Sequence, residues 1–335
     1  MGDSPVVLGL DFGGTKIAMA VCELSGDRLG TATVGSGGEL GAQASFERGI
    51  SVARDLLAAK APGRGLAAVG VATFGIPYED RVELAPAISG WDQLALGREL
   101  RAAFAGAQIR MATDSKAAAQ AEARWGALAG YDPAVYLNLG TGLSAAIVLG
   151  GRVVSGANGA AGEIGYNLRA ISDVGAALSA RVPLEDMVSG QALARRVNGG
   201  PPMAAADVFE AAASDPDVDA LVTSFVTELA FHLVNLAICL DPARIAVGGG
   251  MVRSWARLQP SLGRALSAGV PFPPELVVAR FPADAPLIGA VALAIDAAGP
   301  QNAGPQNAGP PNADPQNADV QTAPVPSILS EGLPL

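Results

Sequence analysis

Residues 6 to 21, VVLGLDFGGTKIAMAV, are two apolar runs joined by a glycine turn. Val6, Val7, Leu8 and Leu10 lead into Asp11, and Ile17, Met19 and Val21 lead away from Lys16, the pattern of two adjacent strands. In the turn between them, Gly13 and Gly14 are expected to take positive φ and to bring backbone N–H groups close to a ligand. The Thr15 hydroxyl and the Lys16 ammonium add donors, and Asp11 at the strand end is placed to hold a metal-bound water. Such a turn suits the phosphate tail of a nucleotide, and an ordinary glycine hairpin with a solvated Lys is the plainer alternative.

The theme returns at Val135 to Leu149, VYLNLGTGLSAAIVL, where Leu139-Gly140-Thr141-Gly142 stands as Phe12-Gly13-Gly14-Thr15 stood. Two such hairpins imply a duplicated domain with a nucleotide between the copies. Between them, Asp27 to Gly38 reads as loop, Ser45 to Ala59 as a helix, and Leu66 to Thr73 as a buried strand running into a turn at Phe74-Gly75-Ile76-Pro77. Trp91 to Phe104 reads as a further helix. Ala107 to Ala112 is a strand that delivers Thr113 and Asp114 to its end, before an Ala-rich helix from Ser115 to Trp125.

Further on, an amphipathic helix from Leu221 to Leu240 is stopped by Asp241-Pro242 and followed by a strand, Arg244 to Val247. Gly248, Gly249 and Gly250 then permit the close backbone approach that flat packing of a nucleoside needs, a flexible turn being the plainer reading. The last helix is expected from Asp284 to Ala297, with Gly289 marking a close helix contact. From Gly299 the chain changes to a five-residue repeat, GPQNA, GPQNA, GPPNA, DPQNA, with almost nothing to bury, which reads as a disordered tail apart from catalysis.

A length of 335 residues allows two domains, and a 50% hydrophobic content with only 5% aromatics points to a core of small aliphatic side chains, as in closely packed α/β layers. The net charge of −10 argues against nucleic acid. No run of about 18 uninterrupted apolar residues exists, so a membrane span is not expected, and the N-terminus has no export pattern. Cys22 and Cys239 are expected to be buried and unpaired in a reducing cytoplasm. One His and two scattered Cys do not make a His/Cys zinc site.

Six motifs fall in order: DFGGTK at Asp11, APxxxGW from Ala85 to Trp91, LGTG at Leu139, GxxGEIG from Gly159 to Gly165, LExxxSG from Leu184 to Gly190, and DPxxIxxGGG from Asp241 to Gly250. In this combination the chain, from about residue 5 to 298, resembles the ROK family (repressors, open reading frames and sugar kinases) of the actin-like ATPase superfamily. The resemblance implies an α/β fold of two RNase H-like domains with sugar and ATP-Mg²⁺ in the cleft between them. The lobes would span 1–112 and 113–283, with helix 284–298 crossing back to the first and 299–335 as the tail.

Carried onto this sequence, the resemblance makes Asp11, Gly13, Gly14, Thr15 and Lys16 holders of phosphate and magnesium, Asp11 through water. It makes Gly140, Thr141 and Gly142 the second phosphate loop, and Gly248, Gly249 and Gly250 the flank of the adenosine. Asp114 matches the general base that accepts the proton of a sugar hydroxyl, although an Asp here also serves as a helix N-cap. Gly75, Thr113, Asp114, Glu163, Tyr166 and Glu185 line the sugar. The partner is then a small-molecule sugar. The residues leave the oligomeric state open, a homodimer included.

The chain also departs from the family's glucokinases. Thr113 replaces the usual Asn before the catalytic Asp, and Tyr166 replaces the His after EIG. The Cys-rich zinc loop is replaced by Asn167 to Pro183, which has no Cys, so no zinc is expected. Ala87 and Lys116 are further changes near the cleft. These changes point to a modified hexose, such as the amino sugar kanosamine or a C7 cyclitol of antibiotic pathways, with an ordinary glucokinase as the alternative. A sugar-sensing protein without catalysis belongs to another class; the family's repressors carry an N-terminal helix-turn-helix, for which the hairpin starting at Val6 leaves no expected room.

Overall fold

The computed structural model describes residues 4–197 and 205–299. The chain begins with β1 (Val6–Phe12), β2 (Lys16–Glu23), β3 (Arg28–Gly35), α1 (Ala42–Lys60) and β4 (Leu66–Thr73). A short pair, β5 (Ile76–Pro77) and β6 (Val82–Glu83), precedes α2 (Leu96–Ala103), β7 (Gln108–Thr113) and α3 (Asp114–Trp125). Then come β8 (Ala134–Leu139), β9 (Leu143–Leu149), β10 (Arg152–Val153), α4 (Gly190–Arg196), α5 (Ala205–Ala211) and α6 (Pro216–Leu240). The described chain closes with β11 (Arg244–Gly248), α7 (Trp255–Gly269), β12 (Glu275–Val278) and α8 (Ala285–Ala298).

The sheets repeat each other. The first runs β3-β2-β1-β4-β7 and the second β10-β9-β8-β11-β12, each with an antiparallel meander on one side and two parallel strands on the other. This is the doubled RNase H-like α/β fold.

Side-chain size along β1 explains how the layers stack. Val6, Leu8, Leu10 and Phe12 face a core shared with Phe46 and Ile50 of α1, while Gly9 faces α8, where an added Cβ would lie 2.6 Å from Val291 Cγ2. A Cβ on Gly70 of β4 would overlap the Ala290 carbonyl, and one on Gly289 would overlap that of Ala117 in α3. Gly289 therefore does mark a close helix contact. Helices α3 and α8 share one apolar cluster with Val7 and Ala68 of the first sheet and Tyr136, Ala146 and Ala246 of the second. The Ala- and Gly-rich composition is thus concentrated where two helices lie between two sheets, since only small side chains let backbones approach so closely.

Several elements differ from expectation. Arg28 to Gly35 is an edge strand, not loop: Leu29, Ala32 and Val34 face the core, but Thr31, Thr33 and Gly35 face solvent and hide the pattern. The expected helix from Trp91 is interrupted, because Leu94 is extended (φ −69°, ψ 122°) between a 3-10 turn at Trp91–Gln93 and α2. Helix α6 starts earlier than expected, at Pro216, where Asp215 caps it by accepting from Asp217 N–H at 2.9 Å. By length and composition α6 is apolar enough to cross a membrane, with a mean hydropathy of 1.6 in its best window. Phe225, Leu229, Leu233 and Ala237 nevertheless sit in the second sheet's core. Cys22 is buried, but Cys239, on the outer side of α6, is exposed. The repeat tail from residue 300 lies outside the described residues.

Candidate active site

The first turn is closed by Gly13 N–H donating to Lys16 O at 2.9 Å, with Phe12 paired to Ile17 across it. Neither Gly13 nor Gly14 has positive φ, which corrects the expectation. Gly13 is needed for room, since a Cβ there would lie 2.9 Å from Lys16 O, whereas one on Gly14 would lie 3.3 Å from Ala87 Cβ, tight but adjustable. Ser36, after β3, clamps the turn; its hydroxyl donates to Gly14 O at 2.8 Å and its N–H to Thr15 O at 3.0 Å. Thr15 and Lys16 are exposed. Alternation along β1 puts Asp11 on the Gly9 face, and its carboxyl is pushed up to about 7 by lost hydration and then by Asp114, against the pull of Lys16.

The second turn is tighter, with Leu139 paired to Leu143 and Gly140 N–H donating to Gly142 O at 3.1 Å. Gly190 N–H and Gln191 N–H donate to the carbonyls of Gly140 and Thr141, at 2.8 and 3.3 Å, so the start of α4 backs the turn. Ser189 caps that helix by accepting from Ala192 N–H at 3.1 Å. Glu185 Oε2 accepts from Leu143 N–H at 2.7 Å and fills the space a Cβ on Gly142 would need. The glycine triplet lies alongside, and a Cβ on Gly140 would sit 3.8 Å from Gly249 Cα. Gly249 has φ +87°, and its Cβ would lie 2.5 Å from Leu139 O; Gly248 is hemmed in by the Tyr136 hydroxyl, whereas a Cβ on Gly250 would meet nothing within 4 Å. The open space at Gly250 suits a flat ligand.

Strand β7 ends at Thr113, and Thr113, not Asp114, caps α3: its hydroxyl accepts from Lys116 N–H at 3.3 Å and lies 3.2 Å from the Ser115 hydroxyl. Asp114 is therefore the first helical residue, with Oδ1 accepting from Ser115 N–H at 2.6 Å. Burial pushes its carboxyl up to about 6; the Ser115 hydrogen bond opposes this, Glu163 and Glu185 add to it, and Lys116 lowers it. Asp11, Asp114, Glu163 and Glu185 thus form one electrostatically coupled group. Glu163 is itself raised, by burial first, with Lys116 holding it down from 3.5 Å. Tyr166 is half-buried, and after burial the neighbouring charges of Glu185 and Glu163 raise its phenol.

Gly75 follows β4, whose last residue, Thr73, pairs with Thr113 of β7. It has φ +78°, and a Cβ there would lie 2.6 Å from Ala85 Cβ. The wholly buried Trp91 pins this corner, donating from Nε1 to Thr73 Oγ1 at 3.2 Å and packing on Phe74 and Phe12. Tyr78, just after β5, donates to Asn158 O at 2.7 Å, far along the chain.

The Cys-free stretch Asn167 to Pro183 is tied to the fold by polar contacts. Arg169 pairs with Glu228 of α6, Arg181 donates to Tyr166 O at 2.8 Å, and Asn167 Nδ2 lies 3.3 Å from His232 Nδ1. Among the described residues no group of three or more His, Cys, Asp or Glu is set to hold a metal. Sequence reasoning missed the clamp by Ser36, for which residue type offers no signal, and the backing of the second turn by α4, whose signal is the Ser189-Gly190 pair inside LExxxSG.

A profile of the ROK family matches residues 7–297. The bifunctional enzyme NanE/NanK of Brucella melitensis biotype 1 is 33% identical over 302 residues, 87% of this chain and 54% of that protein, so the chain spans about half the length of that relative. Kanosamine kinase of Amycolatopsis mediterranei is 30% identical over 313 residues, 88% of this chain and 98% of that protein. A ROK family glucokinase from Streptomyces griseus, solved in complex with glucose and AMPPNP, superposes with a TM-score of 0.67 at 27% identity, covering 86% of this chain and 98% of that one. The doubled sheets, the paired turns and these likenesses agree, and the chain belongs to the ROK family.

Proposed function

We propose that this chain is a cytosolic, ATP-dependent kinase that transfers a phosphoryl group to the 6-hydroxyl of a glucose-like sugar. The observation that carries the reading is Asp114, a base candidate raised to about 6, coupled to Asp11 on one side and to Glu163 and Glu185 on the other. A base with that proton affinity is largely ionised at neutral pH and strong enough to take the proton of a sugar hydroxyl as it attacks phosphorus. Thr113 serves as the helix cap, which takes away the plainer role for Asp114. The relatives named kanosamine kinase and glucokinase support a sugar as acceptor.

In this reading the first turn and the second, with Gly140, Thr141 and Gly142, hold the nucleotide phosphates, and Gly248 to Gly250 flank its base. Asp11 suits Mg²⁺, a hard cation that binds through one or two carboxylates, phosphates and water; burial and then Asp114 raise its proton affinity against the pull of Lys16. Bound there, the ion would neutralise phosphate oxygens. Glu163, Glu185 and Tyr166 orient the sugar by accepting from and donating to its hydroxyls, and lobe closure excludes water as a competing acceptor. The division into lobes at 112/113 belongs to the same proposal.

The finer proposal is a modified hexose, such as kanosamine, rather than glucose. Thr113 supports it only in part, since its hydroxyl is engaged in capping α3. Tyr166 supports it better, as a phenol within the field of Glu185 and Glu163 changes the donor pattern at the ring. The test is ATP-dependent phosphorylation of glucose, mannose, N-acetylglucosamine, glucosamine, 3-amino-3-deoxyglucose and a C7 cyclitol, with Asp114→Asn as control. Turnover that survives Asp114→Asn, or none with any acceptor, defeats the kinase reading; preference for glucose defeats the finer one.

A further inference from the structure

A cavity of about 1040 Å³ opens where the facing edges of the two sheets meet α3 and the end of α8, and it reaches Thr113 at the border of the proposed sugar site. Four cationic side chains line it, Arg110, Lys116, Arg124 and Arg152, against one carboxylate, Asp296. Asp296 is already engaged, by Arg124 at 2.5 Å and Gln120 at 3.1 Å. Arg110, on the edge strand β7, and Arg152, on the edge strand β10, are exposed and have no ion pair or side-chain hydrogen bond among the described residues. On a chain with a net charge of −10, this is a concentration of unneutralised positive charge.

Lys116 joins this cavity to the sugar site. Its side chain is almost wholly buried, it lines the cavity, and its ammonium, with three donors, has among the described residues a single contact, Glu163 Oε1 at 3.5 Å. We propose that the cavity binds a small phosphorylated metabolite between Arg110 of the first sheet and Arg152 of the second, and that its occupancy reaches the sugar site through Lys116.

Guanidinium forks match the oxygens of a tetrahedral phosphate dianion, and the cavity has the volume of a small-molecule site. A dianion beside Lys116 competes with Glu163 for the ammonium. Glu163, freed of the cation that lowers its proton affinity, becomes a poorer ionised acceptor for sugar hydroxyls. Occupancy therefore weakens sugar binding and, because Lys116 also holds down the proton affinity of Asp114, raises that of the base as well. The coupling rests on the sugar-kinase reading; the binding does not.

The test is calorimetric titration of the full chain with inorganic phosphate while saturating AMPPNP fills the nucleotide site, followed by sugar binding with and without phosphate. Phosphate is expected to bind the unaltered protein and Arg195→Ala, but not Arg110→Ala or Arg152→Ala. Both cavity variants should keep their melting temperature, because each removes an exposed side chain. Sugar affinity should fall about fivefold with phosphate in the unaltered protein and stay constant in both cavity variants. Absence of phosphate binding, binding that survives both substitutions, or equal binding of acetate overturns the site; binding that leaves sugar affinity unchanged overturns the coupling.

Discussion

The two glycine turns occupy equivalent places in two sheets of the same topology, yet they are built differently. The first, residues 13 to 16, keeps Lys16 exposed beside Asp11, neither of its glycines has positive φ, and it is held from outside by Ser36. The second, residues 140 to 142, carries no charge of its own and is backed from behind by α4, Glu185 and the glycine triplet. The two sheets share a topology, and the turns on them are furnished differently. One turn offers charge at a strand end, and the other offers backbone fixed by its surroundings, with Glu185 extending from it toward Glu163 and Tyr166.

Charge on the first side is expected to matter most to rate. Asp114→Asn should lower kcat by about 10²- to 10⁴-fold while sugar affinity changes little, read by steady-state kinetics beside equilibrium binding. A comparable fall in sugar affinity alone would move Asp114 from chemistry to binding.

Glycine-to-alanine changes in the first turn and in the triplet behind the second separate the two designs. Gly249→Ala places a Cβ against Leu139 O at φ +87° and should cost about 1–3 kcal/mol in denaturant unfolding, with a raised KM for ATP. Gly14→Ala meets only Ala87 at 3.3 Å, within reach of a small adjustment, and should cost under about 1 kcal/mol. Equal costs would mean that the turns are interchangeable. Glu185→Ala, which leaves Leu143 N–H without its acceptor, should destabilise by about 1–3 kcal/mol and raise the sugar KM together with it.

The pH dependence has opposite signs for stability and activity. Asp11 and Asp114 are held above their ordinary 3.8, at about 7 and about 6, so the folded protein retains protons that the unfolded chain has released. Their contribution to stability is therefore lost as pH rises from about 4 through those values. The melting temperature of the ligand-free protein should fall between pH 5 and 7 from this source, and Asp11→Asn should flatten the fall. Turnover should instead rise through about pH 6, as the Asp114 carboxylate forms. Thr113→Ala is expected to cost about 1 kcal/mol of lost capping, read in thermal unfolding.

Reading from sequence succeeded where the cause is local. The hairpins around Gly13 and Gly140, the strand that delivers Asp114, the stop at Asp241-Pro242 and the α/β class follow from side-chain period and turn chemistry within a few residues. It failed at β3, where an edge strand half in solvent loses its pattern, and at the φ of Gly13 and Gly14, neither of which is positive, Gly13 being required for space and not for conformation.

What only the tertiary structure decided is which distant groups meet. The sequence by itself determined that four carboxylates, two turns and a glycine triplet exist; it did not determine that Lys116 reaches Glu163, that Ser36 clamps Gly14, or that α8 lies against Gly9 and Gly70. Each of these contacts joins segments that only packing brings together. Their strengths depend on burial and on neighbouring charge, which are properties of the folded surroundings and not of any stretch of chain.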